Sequence, residues 1–296
     1  MVISNPATLK ILHNQLCIEQ ESRLLIPIED ICTLLIENPN VSITAVALEQ
    51  LAVNGVTVFF CDRTHLPSAQ LFAMNQFSRK SRLLEEQFQI GKPLRKQLWK
   101  TIIKQKIQNQ ANCLKLLGRT GADHLQELAD NVRSGDCDNA EAVAAAWYFP
   151  RLFGKGFTRS SEIVENAALN YGYAILRGNI ARNLVMHGLE PCIGIFHSND
   201  LNPYNLADDL IEPYRPLVDL MVAGWDLSSI TDEELTRDMK RKLLLLSNKL
   251  VYQAEKNFRV MTSVDRMTAS FAASILQKEM KLELPELIGL EDGRFE

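Results

Sequence analysis

A change of hydrophobic period near residue 70 constrains this chain more than any other feature of its 296 residues. Before it, apolar residues come in short bursts: residues 15–18 (QLCI), 23–28 (RLLIPI) and 32–36 (CTLLI), the last closed by Asn38-Pro39-Asn40. Runs this short, bounded by turn formers, read as half-buried or buried strands. One helix interrupts them, where Ile43, Val46, Ala47, Leu48 and Leu51 recur at helical spacing ahead of an Asn54-Gly55 stop. Residues 56–61 (VTVFFC) return to strand character. From about residue 70 the period is helical. Helices are expected over residues 68–90, 93–117, 122–133, 139–153, 161–187, 203–223, 231–254 and 264–281, the seventh opened by the capping-box pair Thr231 and Glu234. The expected fold class is α+β, with a small, mostly β domain over residues 1–70 and a larger, all-helical domain over residues 71–296. The chain begins close to its first strand, which should therefore be short.

A formal net charge of −4 excludes no partner, because nucleic-acid binding needs only a local basic surface. Two such clusters exist. Arg79, Lys80, Arg82, Lys92, Arg95, Lys96, Lys100, Lys104 and Lys106 form one, opposed only by Glu85 and Glu86; Arg237, Lys240, Arg241, Lys242 and Lys249 form the other. Each reads as a solvated helix face or as a phosphate track, with Arg79, Lys80, Arg82, Lys240 and Arg241 as the candidate DNA contacts. The six cysteines are scattered without a CxxC pair, which fits reduced thiols rather than disulfides or a zinc site. With no signal-peptide layout at MVISNPATLK and no apolar run of membrane-spanning length, a soluble, cytoplasmic protein without a membrane partner is expected.

Residues 192–219 concentrate polar chemistry: His197, then Asp208, Asp209, Glu212 and Asp219 around two prolines, Pro213 and Pro216. At about 100° per residue Leu206, Leu210, Tyr214, Leu217 and Met221 share one narrow stripe. Asp208, Glu212 and Asp219 face away from it, with Asp209 on the edge. Two accounts stay open: a solvated acidic face behind a core stripe, or a cation site, since carboxylates one turn apart repel unless a cation separates them. The prolines should interrupt the helix. Glu141 is open in the same way, because Asp138 precedes it at the D-x-x-E spacing of a helix cap. A lone histidine such as His197 is ordinarily a core or surface residue, and His187, in the last turn before Gly188, needs no further role. In residues 161–187, Asn166, Asn170, Tyr173 and Arg177 line one polar stripe, either an interhelical seam or the wall of a polar cleft, and Gly172 marks close packing.

Three ordered stretches, NAEAVAAAWYFPRLFG, ENAALNYGYAILRGNIARNLVMHGLEPCIGIFH and NPYNLADDLIEPYRPLVD, resemble the CRISPR-associated integrase family Cas1. The last is most similar to members from type II systems. The resemblance is close over residues 139–219 and extends loosely to the whole chain. It implies a metal site of Glu141, His197 and Glu212, with Asp209, Asn170 and Tyr173 assisting, holding Mg²⁺ or Mn²⁺. Glu212 stands where many relatives carry aspartate. It further implies a homodimer built through the N-terminal domain and bridged by the small partner Cas2, with other type II CRISPR proteins as further partners. The substrates would be double-stranded DNA, a spacer fragment and the CRISPR repeat, joined by transesterification at the 3′-hydroxyl ends. Two other readings share these residues. One is a structure-selective endonuclease cutting branched DNA with the same metal; the other is a non-catalytic DNA-binding scaffold.

Overall fold

The computed structural model describes residues 1–62, 67–71, 73, 80–227 and 235–292. It divides into two compact units, Met1–Ser78 and Arg79–Glu296. Strands come first and a helical region follows.

In the first unit the strands are β1 (Val2–Ile3), β2 (Ala7–Leu12), β3 (Gln15–Glu19), β4 (Arg23–Pro27), β5 (Thr33–Ile36), β6 (Val41–Ile43), β7 (Thr57–Cys61) and β8 (Pro67–Leu71), with helix α1 (Ala45–Val53) before β7. They form two four-stranded sheets, ordered β1-β5-β7-β8 and β4-β3-β2-β6. The short first strand is two residues long and pairs in parallel with β5, Val2 opposite Leu35. His13 and Asn14, at φ 50° and 60°, make the tight turn joining β2 to β3, since a two-residue hairpin loop takes positive φ at both centres. Thr44 caps α1, its hydroxyl accepting from Ala47 N–H at 3.2 Å. Leu9, Leu16, Leu34, Leu51 and Val58 are fully buried between these elements.

The single helix expected over residues 68–90 is corrected. Pro67–Leu71 is a strand antiparallel to β7, Leu71 opposite Val58, and the helix is α2 (Lys80–Phe88). The SAQL sequence has no strong strand propensity; pairing with the free edge of β7 decides its conformation.

The second unit continues with α3 (Lys92–Leu116), α4 (Ala122–Asp130), α5 (Ala140–Phe153), α6 (Val164–Met186), α7 (Asn205–Leu210), a 3₁₀ turn at Glu212–Tyr214, α8 (Arg215–Ala223), α9 (Arg237–Leu244), strands β9 (Leu250–Gln253) and β10 (Lys256–Arg259), and α10 (Val260–Gln277). The expected helix over 231–254 is also corrected. α9 ends at Leu244, and β9 and β10 form a hairpin turning at Ala254 and Glu255, both in left-handed conformation at φ 47° and 66°. Tyr252 pairs in addition with Glu286 of the C-terminal segment. That tertiary bond rewards extended backbone that local periodicity does not anticipate. Thr231 and Glu234 lie outside the described residues; α9 is capped by Thr236. No helix among the described residues is long and apolar enough to cross a membrane, and all six cysteines are free thiols.

Candidate active site

The site is assembled around one lysine. α3 buries Leu98, Trp99, Ile102, Ile103 and Ile107, and Lys106 lies on the same side with its side chain only 10% exposed. Its Nζ donates to Glu141 Oε1 at 2.6 Å and lies 2.5 Å from Glu212 Oε2. Glu141 arrives from the first turn of α5. Asp136 caps that helix, accepting from the N–H groups of Ala140 (2.8 Å) and Glu141 (3.2 Å). Asp138, the expected cap partner, pairs with Arg133 instead. The Glu141 carboxylate is thereby left to Lys106.

Glu212 opens the 3₁₀ turn that the Pro213-Tyr214-Arg215-Pro216 sequence imposes between α7 and α8, the interruption expected from the prolines. Asn109, one turn along α3 from Lys106, donates to Pro213 O at 2.7 Å and pins the turn. Arg215 Nε donates to Glu212 Oε1 at 2.9 Å. Asp209, Glu212 and Asp219 are 0%, 3% and 1% exposed, so the solvated-face account of these acids is overturned. Burial pushes the Glu212 carboxyl up, but Arg215 and Lys106 hold it below its ordinary value. Burial likewise works against the Lys106 ammonium, and Glu212 and Glu141 together keep its pKa above the ordinary lysine value.

His197 sits in the loop before α7, and Asp209 sets its orientation. Asp209 Oδ1 lies 2.7 Å from His197 Nδ1, and the carboxylate also accepts the backbone N–H groups of Ile195 (2.6 Å), Phe196 (3.1 Å) and His197 (3.1 Å). The loop is held from outside by Gln87 of α2, which bonds Glu190 and Ile193 through three contacts of 2.9 Å, and by Phe196 stacked on Trp99 at 4.1 Å. Asp209 therefore positions His197 and has no oxygen free of that task. The hydrogen bond to Asp209 raises the His197 pKa against its partial burial, and the charges of Asp209, Glu212 and Asp208 add to the rise.

Among the described residues no three His, Cys, Asp or Glu side chains already form a metal cage. Of the three expected ligands, Glu141 and Glu212 meet at Lys106, while His197 stands apart, close enough to feel the Glu212 charge. The residues nonetheless fit a hard divalent cation. Glu212 Oε2 is buried and, despite the approach of Lys106, has no aligned hydrogen-bond donor. With Nδ1 engaged by Asp209, Nε2 is the ring nitrogen that His197 can offer. Two carboxylates and one imidazole suit Mg²⁺ or Mn²⁺.

The polar stripe of α6 divides. Asn170, Tyr173 and Arg177, with Arg159, Asp208 and Arg215, line a cleft of about 290 Å³. Asn166 instead bonds the Thr158 and Ser161 carbonyls at 2.8 Å and is structural. Asn170 accepts from Arg159 at 2.7 Å. Tyr173 donates a short hydrogen bond to Asp219, while its ring lies 4.6 Å beneath the Arg215 guanidinium. Tyr148 donates to the same Asp219 at 3.1 Å. Burial nevertheless pushes the Asp219 carboxyl up to about 6, against these hydrogen bonds. Of the candidate DNA contacts, Arg79 and the Lys80 side chain lie outside the described residues; Arg82 on α2 and Arg241 on α9 are exposed, and Lys240 is half-buried. Lys106 is no part of a phosphate track, and Lys104 pairs with Asp130 at 3.1 Å. Sequence reading missed Lys106, Arg159 and Arg215 as site residues. Lys106 was traceable, since it falls in phase with Trp99, Ile102 and Ile103 and interrupts an apolar stripe. Arg159 has no local signal.

Residues 1–152 and 153–251 match the family described as CRISPR associated protein Cas1. The chain belongs to the Cas1 family. It is 41% identical over 299 residues to the CRISPR-associated endonuclease Cas1 of Neisseria meningitidis serogroup C (strain 8013), an alignment spanning 100% of this chain and 98% of that one. A casposase bound to integration product shares the fold with a TM-score of 0.75 at 18% identity, covering 93% of this chain and 90% of that one. A Cas6-RT-Cas1–Cas2 complex contains the Cas1 fold at a TM-score of 0.70 and 16% identity, covering 94% of this chain and 35% of that one.

Proposed function

We propose that this Cas1-family chain is a divalent-metal-dependent DNA integrase of CRISPR adaptation, of the type II kind, joining spacer 3′-hydroxyl ends to the CRISPR repeat. The observation that carries the reading is the convergence of Glu141 and Glu212, from separate helical elements, on one buried point near the Asp209-oriented His197. Glu141, His197 through Nε2, and Glu212 would hold Mg²⁺ or Mn²⁺. Bound there, the ion would lower the pKa of a hydroxyl and neutralise charge on a phosphate. The chain's own residues do the rest. Asp209 fixes the imidazole tautomer, Asn109 and Arg215 hold Glu212, and Arg159, Arg177 and Arg215 present guanidinium groups to a phosphodiester in the adjoining cleft. The 3′-oxygen forms a bond to the repeat phosphorus as the bond to the departing 3′-oxygen breaks, so no serine or tyrosine nucleophile is required.

Glu141→Ala and His197→Ala should each abolish strand joining while leaving DNA binding within about twofold of wild type. Joining at the wild-type rate in both variants would refute the assignment. The endonuclease reading draws support from the name of the Neisseria relative. It uses the same residues with water as the nucleophile. Duplexes with free or blocked 3′-hydroxyl ends separate the two, because integration needs free ends and hydrolysis does not. A passive scaffold predicts DNA binding without any metal-dependent strand chemistry. In the same reading the first unit supplies the contact of a homodimer, supported by Leu24 and Leu25, 53% and 40% exposed on the edge strand β4. The Cas2 partner is carried over from the family and from the structural neighbour that contains it.

A further inference from the structure

We propose that the Lys106 ammonium is a built-in counter-cation holding the metal's place, and that a divalent ion gains Glu141 and Glu212 only by displacing it. The inference rests on the metal reading above. Nζ lies 2.6 Å from Glu141 Oε1 and 2.5 Å from Glu212 Oε2. A Mg²⁺ or Mn²⁺ ion needs carboxylate oxygens at roughly 2.0–2.2 Å. It cannot take lone pairs from both carboxylates while an ammonium stays wedged between them, because the two cations would stand in near contact in a site with little water to screen them.

The charges lead to the same place. Glu141 and Glu212 contribute two negative charges, and Lys106 and Arg215 contribute two positive ones, so the group is neutral without metal. Within these four groups an added divalent ion finds excess negative charge only if a cation leaves. Arg215 is poorly suited to leave: it binds the opposite oxygen of Glu212, Oε1, and stacks on Tyr173. Lys106 has a flexible four-carbon stem and contacts only the oxygens a metal would want. Its position explains why a placeholder exists at all. Glu212 is 3% exposed, and a buried carboxylate beside a second one would be strongly destabilised with no cation between them. Lysine on the buried stripe of α3 holds the metal-free site together and sets the threshold for metal entry.

The test is Mn²⁺ binding to the full chain without DNA, measured by isothermal titration calorimetry on wild type, Lys106→Gln and Lys106→Arg. Lys106→Gln should bind Mn²⁺ at least about tenfold more tightly, melt at a lower temperature without metal, and gain more from Mn²⁺ than wild type does. Lys106→Arg should bind no more tightly than wild type. Equal or weaker Mn²⁺ affinity in a folded Lys106→Gln protein overturns the proposal. Because a substitution at a buried position can prevent folding, wild type labelled with ¹³Cε-lysine gives a second readout, with Lys106 assigned from the missing signal in Lys106→Arg. Saturating Mg²⁺ should move that resonance to the position and sharpness of solvent-exposed lysines; a resonance unmoved with Mg²⁺ bound overturns displacement. Absence of Mn²⁺ binding in every protein would defeat the metal reading itself. Binding of equal strength in all of them defeats only the displacement.

Discussion

Three backbone N–H groups and one imidazole converge on Asp209, which makes it the residue whose loss separates orientation from ligation. Asp209→Asn should weaken Mn²⁺ binding roughly ten- to a hundred-fold and let the His197 pKa fall back toward the ordinary imidazole value, read by NMR titration. The sign for wild type follows from the raised pKa. The His197–Asp209 pairing stabilises the fold fully below the unfolded value of 6.5 and fades as pH rises through the folded value. Metal competes with that proton, so Mn²⁺ affinity should strengthen over the same rise. Asp219 runs the same way in a lower pH window. Its folded pKa of about 6 exceeds the ordinary 3.8, so the folded state holds a proton that the unfolded chain has lost, and stability declines between those values as pH rises. The gap corresponds to roughly 3 kcal/mol. Between pH 4 and pH 7 the stability of wild type relative to Asp219→Asn should fall by an amount of that order in urea titrations. A difference that stays flat with pH would contradict the assignment.

Among the elements, α6 and α8 show how closely the site's supports are packed. A Cβ on Gly172 would stand 2.5 Å from Val218 Cγ1 and 3.2 Å from Leu243 Cδ2. Gly172→Ala should therefore cost about 1–3 kcal/mol, and Val218→Ala in the same protein should recover part of it, as a double-mutant cycle would measure. The close packing read from Gly172 in the sequence is thus present, but its partner helix was not legible. α8 follows Pro213 and a change of helix type and carries Pro216 in its own first turn, so nothing local sets its crossing with α6. Gly194 plays the same part in the histidine loop. A Cβ there would collide with the His197 carbonyl and lie 2.8 Å from Asp209 Oδ2, which ties this glycine to the geometry of the site. The two misread elements, β8 and the β9–β10 hairpin, share a cause. Both are short, and both owe their extended form to pairing rather than to their own periodicity: β8 with the preceding strand β7, and β9 with β10 and with Glu286 of the C-terminal segment.

For the whole molecule, DNA affinity should depend on cations outside the buried charge cluster, the exposed Arg82 and Arg241 and the half-buried Lys240. Replacing Arg82, Lys240 and Arg241 by Gln should weaken duplex binding without regard to sequence and reduce the slope of log affinity against log salt by up to roughly 3. An unchanged slope would return these residues to the status of a solvated surface. Light scattering should find a homodimer of the 33.4 kDa chain, and Leu24→Lys with Leu25→Lys should shift it toward monomer.

The change of hydrophobic period determined that strands precede helices, and three ordered motifs determined the family and the ligand candidates, because both kinds of information are local and survive in linear order. Only the tertiary structure decided what those residues do to one another. Residues 141 and 212 could each be read as helix surface until α3 was seen to place one ammonium between them. A carboxylate's role depends on burial and on the charges beside it, and both are set by elements that the chain brings together from far apart.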